Sequence, residues 1–157
     1  MNANDAQIRK FYTAFGQKDF LTMQSCYHKD ATFSDPAFPD LNSSEVKAMW
    51  QMLLTASKDL RVEFGNVQAN DETGSCHWDA YYTFSRTGRK VHNSIDATFV
   101  FRDGLIYRHK DHFNFWRWSR QSLGTSGFLL GWSPFLRNKV QSTARAGLNK
   151  FVQSQSR

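Results

Sequence analysis

The feature of this chain that most constrains its fold is the alternation of residue types from Val91 to Arg102. Residues of one parity are mostly apolar and those of the other are mostly polar, which indicates a β-strand whose two faces meet different surroundings. Asp103-Gly104 then predicts a hairpin turn. The following segment, Leu105–Trp118, would place five residues on one face: Tyr107, His109, Asp111, Phe113 and Phe115. A His and an Asp among aromatic rings on one strand face indicate a pocket, but they do not identify a substrate.

Three helices are predicted upstream of this region. Asp5 is the expected cap of the first helix, which ends at Gly16. The second begins near Asp19 and carries Phe20, Met23 and Tyr27 on one side. The third follows Asn42-Ser-Ser-Glu45, which has the spacing of a capping box. Its apolar positions repeat at helical intervals: Val46, Met49, Trp50, Leu53 and Leu54.

The strand predictions complete an α+β pattern. A short extended segment, Ala31–Ser34, stops at Asp35-Pro36. From Leu60 onward the period is two, and hairpin signals divide the chain into four strands: Leu60–Ala69, Ser75–Arg86, Lys90–Arg102 and Leu105–Trp118. Helices followed by an antiparallel meander predict that the helices pack on one face of a curved sheet.

Composition supports one domain with an aromatic interior. The 157 residues include 14 Phe, 5 Tyr and 5 Trp, so rings are expected to line the core or a cavity. No apolar run approaches the roughly 18 residues of a membrane span, and the N-terminus does not have the pattern of a signal peptide. Cys26 and Cys76 are interpreted as buried free thiols in a reducing compartment. A cytoplasmic protein is expected.

The net charge of +6 is concentrated in the C-terminal part. Residues 113–157 contain seven basic residues and no acidic residue. Gly124, Gly127 and Gly131 punctuate an apolar loop in the range 119–133, and Pro134 suits the first turn of a final helix. We expect the loop and the basic amphipathic helix to pack on the same domain, with the bases in water. Nucleic acid is not an expected partner, and binding to a membrane surface is the less favoured alternative.

Two motifs carry a resemblance to a known superfamily. One is Asp30-Ala-Thr-Phe-Ser-Asp35-Pro36, and the other is Asp103-Gly-Leu-Ile106 running into His109-Lys-Asp-His-Phe113. With the order of helices and strands, they resemble the nuclear transport factor 2-like superfamily, which has a cystatin-like α+β fold. Its ketosteroid isomerase-like and SnoaL-like branches, which include polyketide cyclases, are the most similar.

The resemblance implies a cone-shaped domain over residues 1–118, with residues 119–157 as an extension. In such a cone a curved antiparallel sheet wraps N-terminal helices, and a pocket opens between them. Seven residues are expected to contact a substrate there. Strand parity gives Trp78, Tyr82, Asn93, Ala97 and Phe113, and the first helix contributes Phe11 and Phe15. Ala80, Ile95, His109 and Asp111 share this inward parity, and Asp35 enters from the rim.

The family's catalytic residues carry over only in part. Asp35 matches the general-base aspartate of ketosteroid isomerases, but the two oxyanion-hole positions fall on Phe11 and Ala97. Neither side chain can donate a hydrogen bond, so steroid isomerisation is disfavoured. Asp111 matches one acid of the epoxide hydrolase Asp–Arg–Asp set, whose other positions fall on Trp78 and Ala80. The catalytic candidates that remain are Asp35, His109 and Asp111.

The function hypothesis is a SnoaL-like enzyme of the isomerase, cyclase or hydrolase type. Asp35 or Asp111 would be the base, His109 the partner acid or base, and Tyr82 or Asn93 would hold a substrate oxygen. No cofactor is implied, and the substrate would be a hydrophobic small molecule. The alternative is a non-catalytic domain that binds an apolar ligand. In that reading Asp35 only caps a turn, and His109 and Asp111 only satisfy each other.

The outward parity of the meander predicts an assembly surface. It carries His77, Asp79, Tyr81, His92, Ser94, Thr98 and Val100, a polar and aromatic mixture that suits a twofold sheet-to-sheet interface. We therefore expect surface ion pairs and a homodimer through the outer sheet face. The histidine spacing gives no support for a metal site.

Overall fold

The computed structural model describes residues 2–156. Met1 and Arg157, the end residues of the predicted segments 1–118 and 119–157, lie outside this range. The N-terminal part contains three helices: α1 (Ala3–Gly16), α2 (Phe20–Ser25) and, after the first two strands, α3 (Ser43–Ala56). The strands are β1 (Tyr27–Ser34), β2 (Leu41–Asn42), β3 (Arg61–Ala69), β4 (Thr73–Phe84), β5 (Arg89–Arg102) and β6 (Leu105–His112). The predicted α+β class is confirmed.

The strands form one open, curved sheet in the order β2-β1-β6-β5-β4-β3. Strands β3 to β6 are the predicted antiparallel meander. Strand β1 pairs with β6 in parallel, with Phe33 opposite His109. This pairing places the end of β1, and therefore the loop that begins at Asp35, beside the strand that carries His109 and Asp111.

Local capping explains where the N-terminal helices begin. The Asn42 side chain accepts from Glu45 N at 2.9 Å while the Glu45 carboxylate accepts from Asn42 N at 3.0 Å, so the predicted capping box is confirmed. Asn2, rather than Asp5, caps α1, which starts earlier than predicted. Helix α2 ends at Ser25, and Tyr27 begins β1 instead of lying on the helix. The short helix does not extend to Tyr27 because that residue joins the sheet.

The core lies between the helices and the concave face of the sheet. Along β5 the odd-numbered residues Val91 to Phe101 are buried, as the parity predicts. Strand β4 buries Cys76, Trp78 and Ala80 on the same face. The helices contribute Ile8, Phe11, Tyr12, Phe15, Met23, Val46, Met49, Trp50 and Leu54. Both cysteines are buried free thiols.

The C-terminal part differs from the prediction. Strand β6 stops at His112 and does not continue to Trp118, because the Asn114 side chain caps a new helix by accepting from Arg117 N at 2.9 Å. This helix is α4 (Phe115–Leu123), and it is followed by α5 (Thr125–Leu130) and α6 (Pro134–Gln155). The range 119–133, predicted as a loop, is therefore largely helical.

Helix α6 packs on the domain through a few residues. Leu148 is fully buried in the main core, the Gln141 amide donates to Pro36 O at 2.9 Å, and Arg145 pairs with Glu45 at 2.6 Å. The preceding segment does not bury its apolar groups as predicted. Phe128, Leu129, Leu130 and Trp132 are exposed because Gly127 is the residue of α5 that lies against the domain instead. No helix within residues 2–156 is long and apolar enough to cross a membrane.

Candidate active site

Asp35 stands at the end of β1, where the chain turns before Pro36. Its Oδ1 accepts hydrogen bonds from Ala37 N at 2.7 Å and Phe38 N at 2.6 Å. The turn-capping role expected of an Asp before proline is thus present. Its Oδ2 accepts no hydrogen bond from residues 2–156, and the side chain is half-buried. The carboxyl group therefore has one oxygen held by the backbone and one oxygen available.

The acidity of Asp35 is strongly perturbed. Burial raises the pKa of Asp35 from 3.8 to about 7, and the negative charge of Asp111 adds to the rise. The backbone donors of Phe38 and Ala37 oppose this shift without cancelling it. A carboxyl group with this pKa is divided between its acid and base forms near neutral pH, which suits proton transfer.

His109 and Asp111 project from β6 into the interior, as the parity predicts. They are 1% and 3% exposed, and His109 Nε2 lies 3.0 Å from Asp111 Oδ1. On the other side of the ring, Tyr27 Oη lies 2.8 Å from His109 Nδ1. Trp50 Nε1 donates to Tyr27 Oη at 2.8 Å, and Trp78 Nε1 donates to Asp111 Oδ1 at 3.4 Å. These five residues form one hydrogen-bonded network, which we call the buried network.

The donors and acceptors of the buried network are compatible with a ring proton on Nε2 of His109. Because Tyr27 Oη accepts from Trp50, its own proton is free to go to His109 Nδ1. The ring proton then lies on Nε2 and is donated to Asp111. This assignment pairs every ring nitrogen in a site where an unpaired polar atom would be costly.

Aromatic rings separate the buried network from solvent. The Phe11 ring centroid lies 5.8 Å from that of His109 and 5.9 Å from that of Trp50, and Phe15 packs 5.1 Å from Trp78. The rings of Phe33 and Phe99 lie 4.9 and 4.5 Å from His109. Phe11, Phe15, Trp78 and Ala97, all predicted to contact substrate, are thus part of a packed interior.

The remaining predicted contact residues have more accessible positions. Tyr82 and Phe113 are partly buried and bridge the main core to a second cluster formed by Val91, Phe115 and Trp118. Tyr82 Oη accepts from Trp118 Nε1 at 2.8 Å, and its own proton has no acceptor within residues 2–156. Burial raises the pKa of Tyr82, and the charge of Asp35 contributes to the rise. Tyr82 and Asp35 are therefore electrostatic neighbours.

Asn93 lies on β5 opposite Ala80 and shares the face of Tyr82. Asn93 as a whole residue is 9% exposed. Its side chain makes no hydrogen bond with the described part of the chain, although most buried amides are paired. The available oxygen of Asp35, the proton of Tyr82 and the amide of Asn93 thus all retain hydrogen-bonding capacity on the concave side.

Four residues near the site were not predicted. The sequence predicts Tyr27 on a helix and Trp50 on the apolar side of the third helix, although a buried indole N–H usually needs an acceptor. Tyr12 Oη is buried without a partner among residues 2–156, next to the charge of Asp111. Gln141 holds the Asp35 loop through Pro36. No sequence signal links Gln141 to a loop so distant along the chain.

The outer sheet face carries a separate polar chain. His77 Nδ1 lies 2.8 Å from Asp96 Oδ1, and His92 Nε2 lies 2.8 Å from Asp79 Oδ1. The Tyr81 ring stacks on His92 with centroids 4.3 Å apart. The predicted surface ion pairs are therefore present. Within residues 2–156 no group of three His, Cys, Asp or Glu side chains is arranged to hold a metal ion.

Two surface grooves lie away from the candidate catalytic residues. One of about 650 Å³ is bordered by Gln68, Thr98, Arg108 and Lys110 at the outer sheet face. The other, of about 490 Å³, lies between α3 and α6. Neither groove is lined by Asp35, His109 or Asp111.

An open curved sheet with helices on its concave side, and an Asp-Pro turn beside the His–Asp strand, define the nuclear transport factor 2-like class of fold. The sequence profile of the SnoaL-like domain matches residues 8–109. The chain therefore belongs to the SnoaL-like family, and the resemblance seen in its motifs is confirmed. Among curated proteins, none matches the chain.

Solved structures with the same fold include three of related description. A candidate polyketide cyclase from Xanthomonas campestris is 19% identical, with TM-score 0.64, covering 76% of this chain and 96% of its own. IdmH, a candidate polyketide cyclase from Streptomyces antibioticus, is 20% identical with TM-score 0.64 and coverages of 78% and 99%. An epoxide hydrolase of the LEH-like type from M. tuberculosis is 14% identical, with TM-score 0.64 and coverages of 82% and 96%. At these identities the likeness extends to the fold alone.

Proposed function

We propose that the protein is a small-molecule enzyme of the isomerase, cyclase or hydrolase type in which Asp35 is the general base. One observation carries the proposal: the half-buried Asp35 carboxyl has an available oxygen and a pKa of about 7. A turn cap with no chemical role needs only the oxygen that the backbone already uses. A base requires an oxygen that can reach the substrate and a carboxyl pKa near neutral pH, and Asp35 offers both.

Two donors on the same concave side, Tyr82 and Asn93, suit the other half of such a step. In an enolisation, Asp35 Oδ2 takes a proton from the carbon next to a carbonyl group. The electron pair of the broken C–H bond forms a carbon–carbon double bond, and the π pair of the carbonyl group moves onto its oxygen. The free proton of Tyr82 and the amide of Asn93 are the donors available to hold that oxygen. In a substrate with a double bond conjugated to the enolate, return of the proton from Asp35 to a different carbon isomerises the substrate. Alternatively, the enolate carbon attacks a second carbonyl group to close a ring, and the alkoxide formed there takes the proton from Asp35. The step needs no cofactor.

The three predicted catalytic residues receive different roles in this proposal. Asp35 is accessible, whereas His109 and Asp111 are sealed beneath aromatic rings and pair with each other. We assign His109 and Asp111 as positioning residues. Their buried network fixes the geometry of the concave face, and the charge of Asp111 supports the raised pKa of Asp35.

The proposed substrate is a hydrophobic small molecule with a carbonyl group. Phe113, Tyr82 and the rings behind them would give it an apolar surface. Similar folds in candidate polyketide cyclases support a cyclic ketone or polyketide-like compound. The fold of the epoxide hydrolase leaves addition of water as a second reaction of the same base.

Hydrogen–deuterium exchange at carbon tests the base directly, without knowledge of the final product. The protein is incubated in D₂O with a panel of hydrophobic cyclic ketones, and deuterium incorporation next to the carbonyl is followed by NMR. We expect exchange with ketones that bind, a loss of about a hundredfold or more in Asp35→Asn, and a smaller loss in Tyr82→Phe. Asp40→Asn is the matched control, because Asp40 is exposed in the same loop.

The same experiment separates the enzyme from a binding domain. Ketone binding without exchange in the wild type, with equal affinity in Asp35→Asn, would favour the non-catalytic alternative. Exchange that persists in Asp35→Asn would contradict the role given to Asp35.

We also propose a homodimer through the outer sheet face. His77 and His92 are 38% and 39% exposed in their side chains. Tyr81, whose ring lies between His92 and Arg61, is partly exposed on the same face. Light scattering should give the mass of a dimer, and Tyr81→Glu should reduce it by placing like charges across the twofold axis. A monomer mass at all concentrations would contradict this proposal. The buried free thiols support a reducing location such as the cytoplasm.

A further inference from the structure

Helix α5 exposes its large apolar residues and buries a glycine, which is the reverse of an ordinary surface helix. Its small residue faces the domain: a Cβ at Gly127 would lie 1.9 Å from Ser119 O, so only glycine permits this approach to α4. At the next turn a Cβ on Gly131 would lie 3.0 Å from Ser119 Cβ. The large apolar residues consequently point outward. A surface helix normally places its apolar side on the protein and its polar side in water.

The outward residues lie close together along the chain, between positions 128 and 135, and we call this group of exposed apolar side chains the exposed patch. Its members are Phe128, Leu129, Leu130, Trp132 and Phe135, with exposed fractions of 53%, 57%, 43%, 74% and 69%. The indole N–H of Trp132 donates to Leu129 O at 2.8 Å, so its polar atom is satisfied within the chain. The Trp132 ring therefore presents carbon to the outside. A clustered apolar surface of this kind marks an interaction site.

The charge around the exposed patch is of one sign. Residues 113–157 contain seven bases and no acid, and Arg120, Arg137 and Lys139 are exposed on the helices that flank the patch. Arg89, whose Nε donates to Gln121 O at 2.7 Å, adds a base from β5. A second copy seated on this surface would bring two strongly basic segments together. An anionic surface would instead be attracted.

We propose that the exposed patch binds peripherally to the surface of an anionic lipid bilayer. The ring of Trp132 and that of Phe135 would enter the boundary between headgroups and acyl chains, and the flanking bases would contact lipid phosphates. The chain would lie on the membrane rather than cross it. This inference is independent of the chemistry proposed for Asp35.

Vesicle co-sedimentation tests the proposal with the full-length protein. Two vesicle types are compared, one of phosphatidylcholine alone and one of equimolar phosphatidylcholine and phosphatidylserine. We expect binding to the anionic vesicles that weakens with added salt. The double variant Trp132→Ser/Phe135→Ser should lower the partition coefficient by about tenfold or more, since it removes most of the inserted apolar area. Both residues are exposed, so the variant should melt like the wild type.

Leu21→Ser is the matched control, because Leu21 is 68% exposed on α2, outside the patch. It should bind vesicles as the wild type does. Absence of wild-type binding to anionic vesicles would overturn the proposal, as would equal binding by the double variant or an equal loss in Leu21→Ser. A fall in oligomer mass in the double variant, without vesicle binding by the wild type, would instead assign the patch to a second copy.

Discussion

At the scale of single residues, the raised pKa of Asp35 predicts how stability depends on pH. The carboxyl group has an ordinary pKa of 3.8 when unfolded and about 7 when folded, so the folded state holds the proton more tightly. Stability from this group is present below the unfolded value and is lost as the pH rises to about 7. Asp35→Asn removes the ionisation while its amide oxygen can still accept from the turn. We expect the variant to gain stability relative to wild type as the pH rises.

Urea unfolding at about pH 4 and about pH 8 measures this effect. Asp40→Asn is the control: Asp40 is exposed at φ 56, a conformation that Asn tolerates. It should show no comparable change between the two pH values. A difference for Asp35→Asn that stays constant with pH would show that the carboxyl group ionises normally.

Asp111→Asn tests the electrostatic link between the two acids. The amide oxygen can still accept from His109, while the negative charge that raises the pKa of Asp35 is removed. The pKa of Asp35, followed by carboxyl ¹³C NMR, should therefore fall below its wild-type value. Asp40→Asn should leave it unchanged. An unaltered Asp35 pKa in Asp111→Asn would mean that burial alone causes the shift.

The residues of the candidate site were predictable to different extents. Strand parity correctly placed His109 and Asp111 inside, because alternation follows from backbone geometry. It did not reveal that Tyr27 and Trp50 complete their hydrogen bonds, since both depend on how separate elements pack. Parity also cannot distinguish a ring that lines a cavity from one that fills it. Helical periodicity has the same limit: Phe11 and Phe15, predicted on the first helix as substrate contacts, lie in the packed interior.

At the scale of elements, the contact between α4 and α5 depends on Gly127. A methyl group there would overlap Ser119 O, so Gly127→Ala must push α5 away from α4. We expect a loss of stability of about 1–3 kcal/mol, as for other overpacked contacts. Thermal or urea unfolding measures it.

Gly147→Ala provides the opposite control in α6. A Cβ at Gly147 meets nothing within 4 Å, and alanine is favoured over glycine in a helix by roughly 0.5–1 kcal/mol. Gly147→Ala should therefore stabilise the protein. Equal effects of the two substitutions would contradict the close approach at Gly127.

The elements were predicted well where periodicity was long and less well where it was short. The meander has runs of alternation, and the capping box of α3 is a specific local signal. Beyond His112 the aromatic residues Phe113 and Phe115 prolong the alternation, although Asn114 begins a helix by capping. Glycines at 124, 127 and 131 are typical of loops, yet two of them serve as contact points of helices. The sequence alone does not distinguish a glycine needed for close packing from a glycine needed for a turn.

At the scale of the whole molecule, Leu148 connects the C-terminal helix to the main core. Its side chain is fully buried, and α6 also holds the Asp35 loop through Gln141. Leu148→Ala should reduce the free energy of unfolding by about 2–5 kcal/mol. The extension would then act as part of the domain, and both should unfold in one transition.

Val152→Ala is the control on the same helix, because Val152 is 39% exposed. Its cost should remain within about 0.5 kcal/mol. A separate low-temperature transition in Leu148→Ala, with the main transition unchanged, would show that α6 is only loosely attached.

Because β1 pairs in parallel with β6, the sheet can be completed only after β6 has been synthesised. The bond between Tyr27 and His109 joins positions 82 apart, and β6 belongs to the last part of the sheet to leave the ribosome. Until then β1 lacks its neighbour, and the rings of Phe11 and Trp50 lack the strand that covers them. Contacts over such separations form slowly, so the nascent chain must present an aromatic, unpaired edge while translation continues. The side chains that build the site are thus exposed in the nascent chain until β6 has been synthesised.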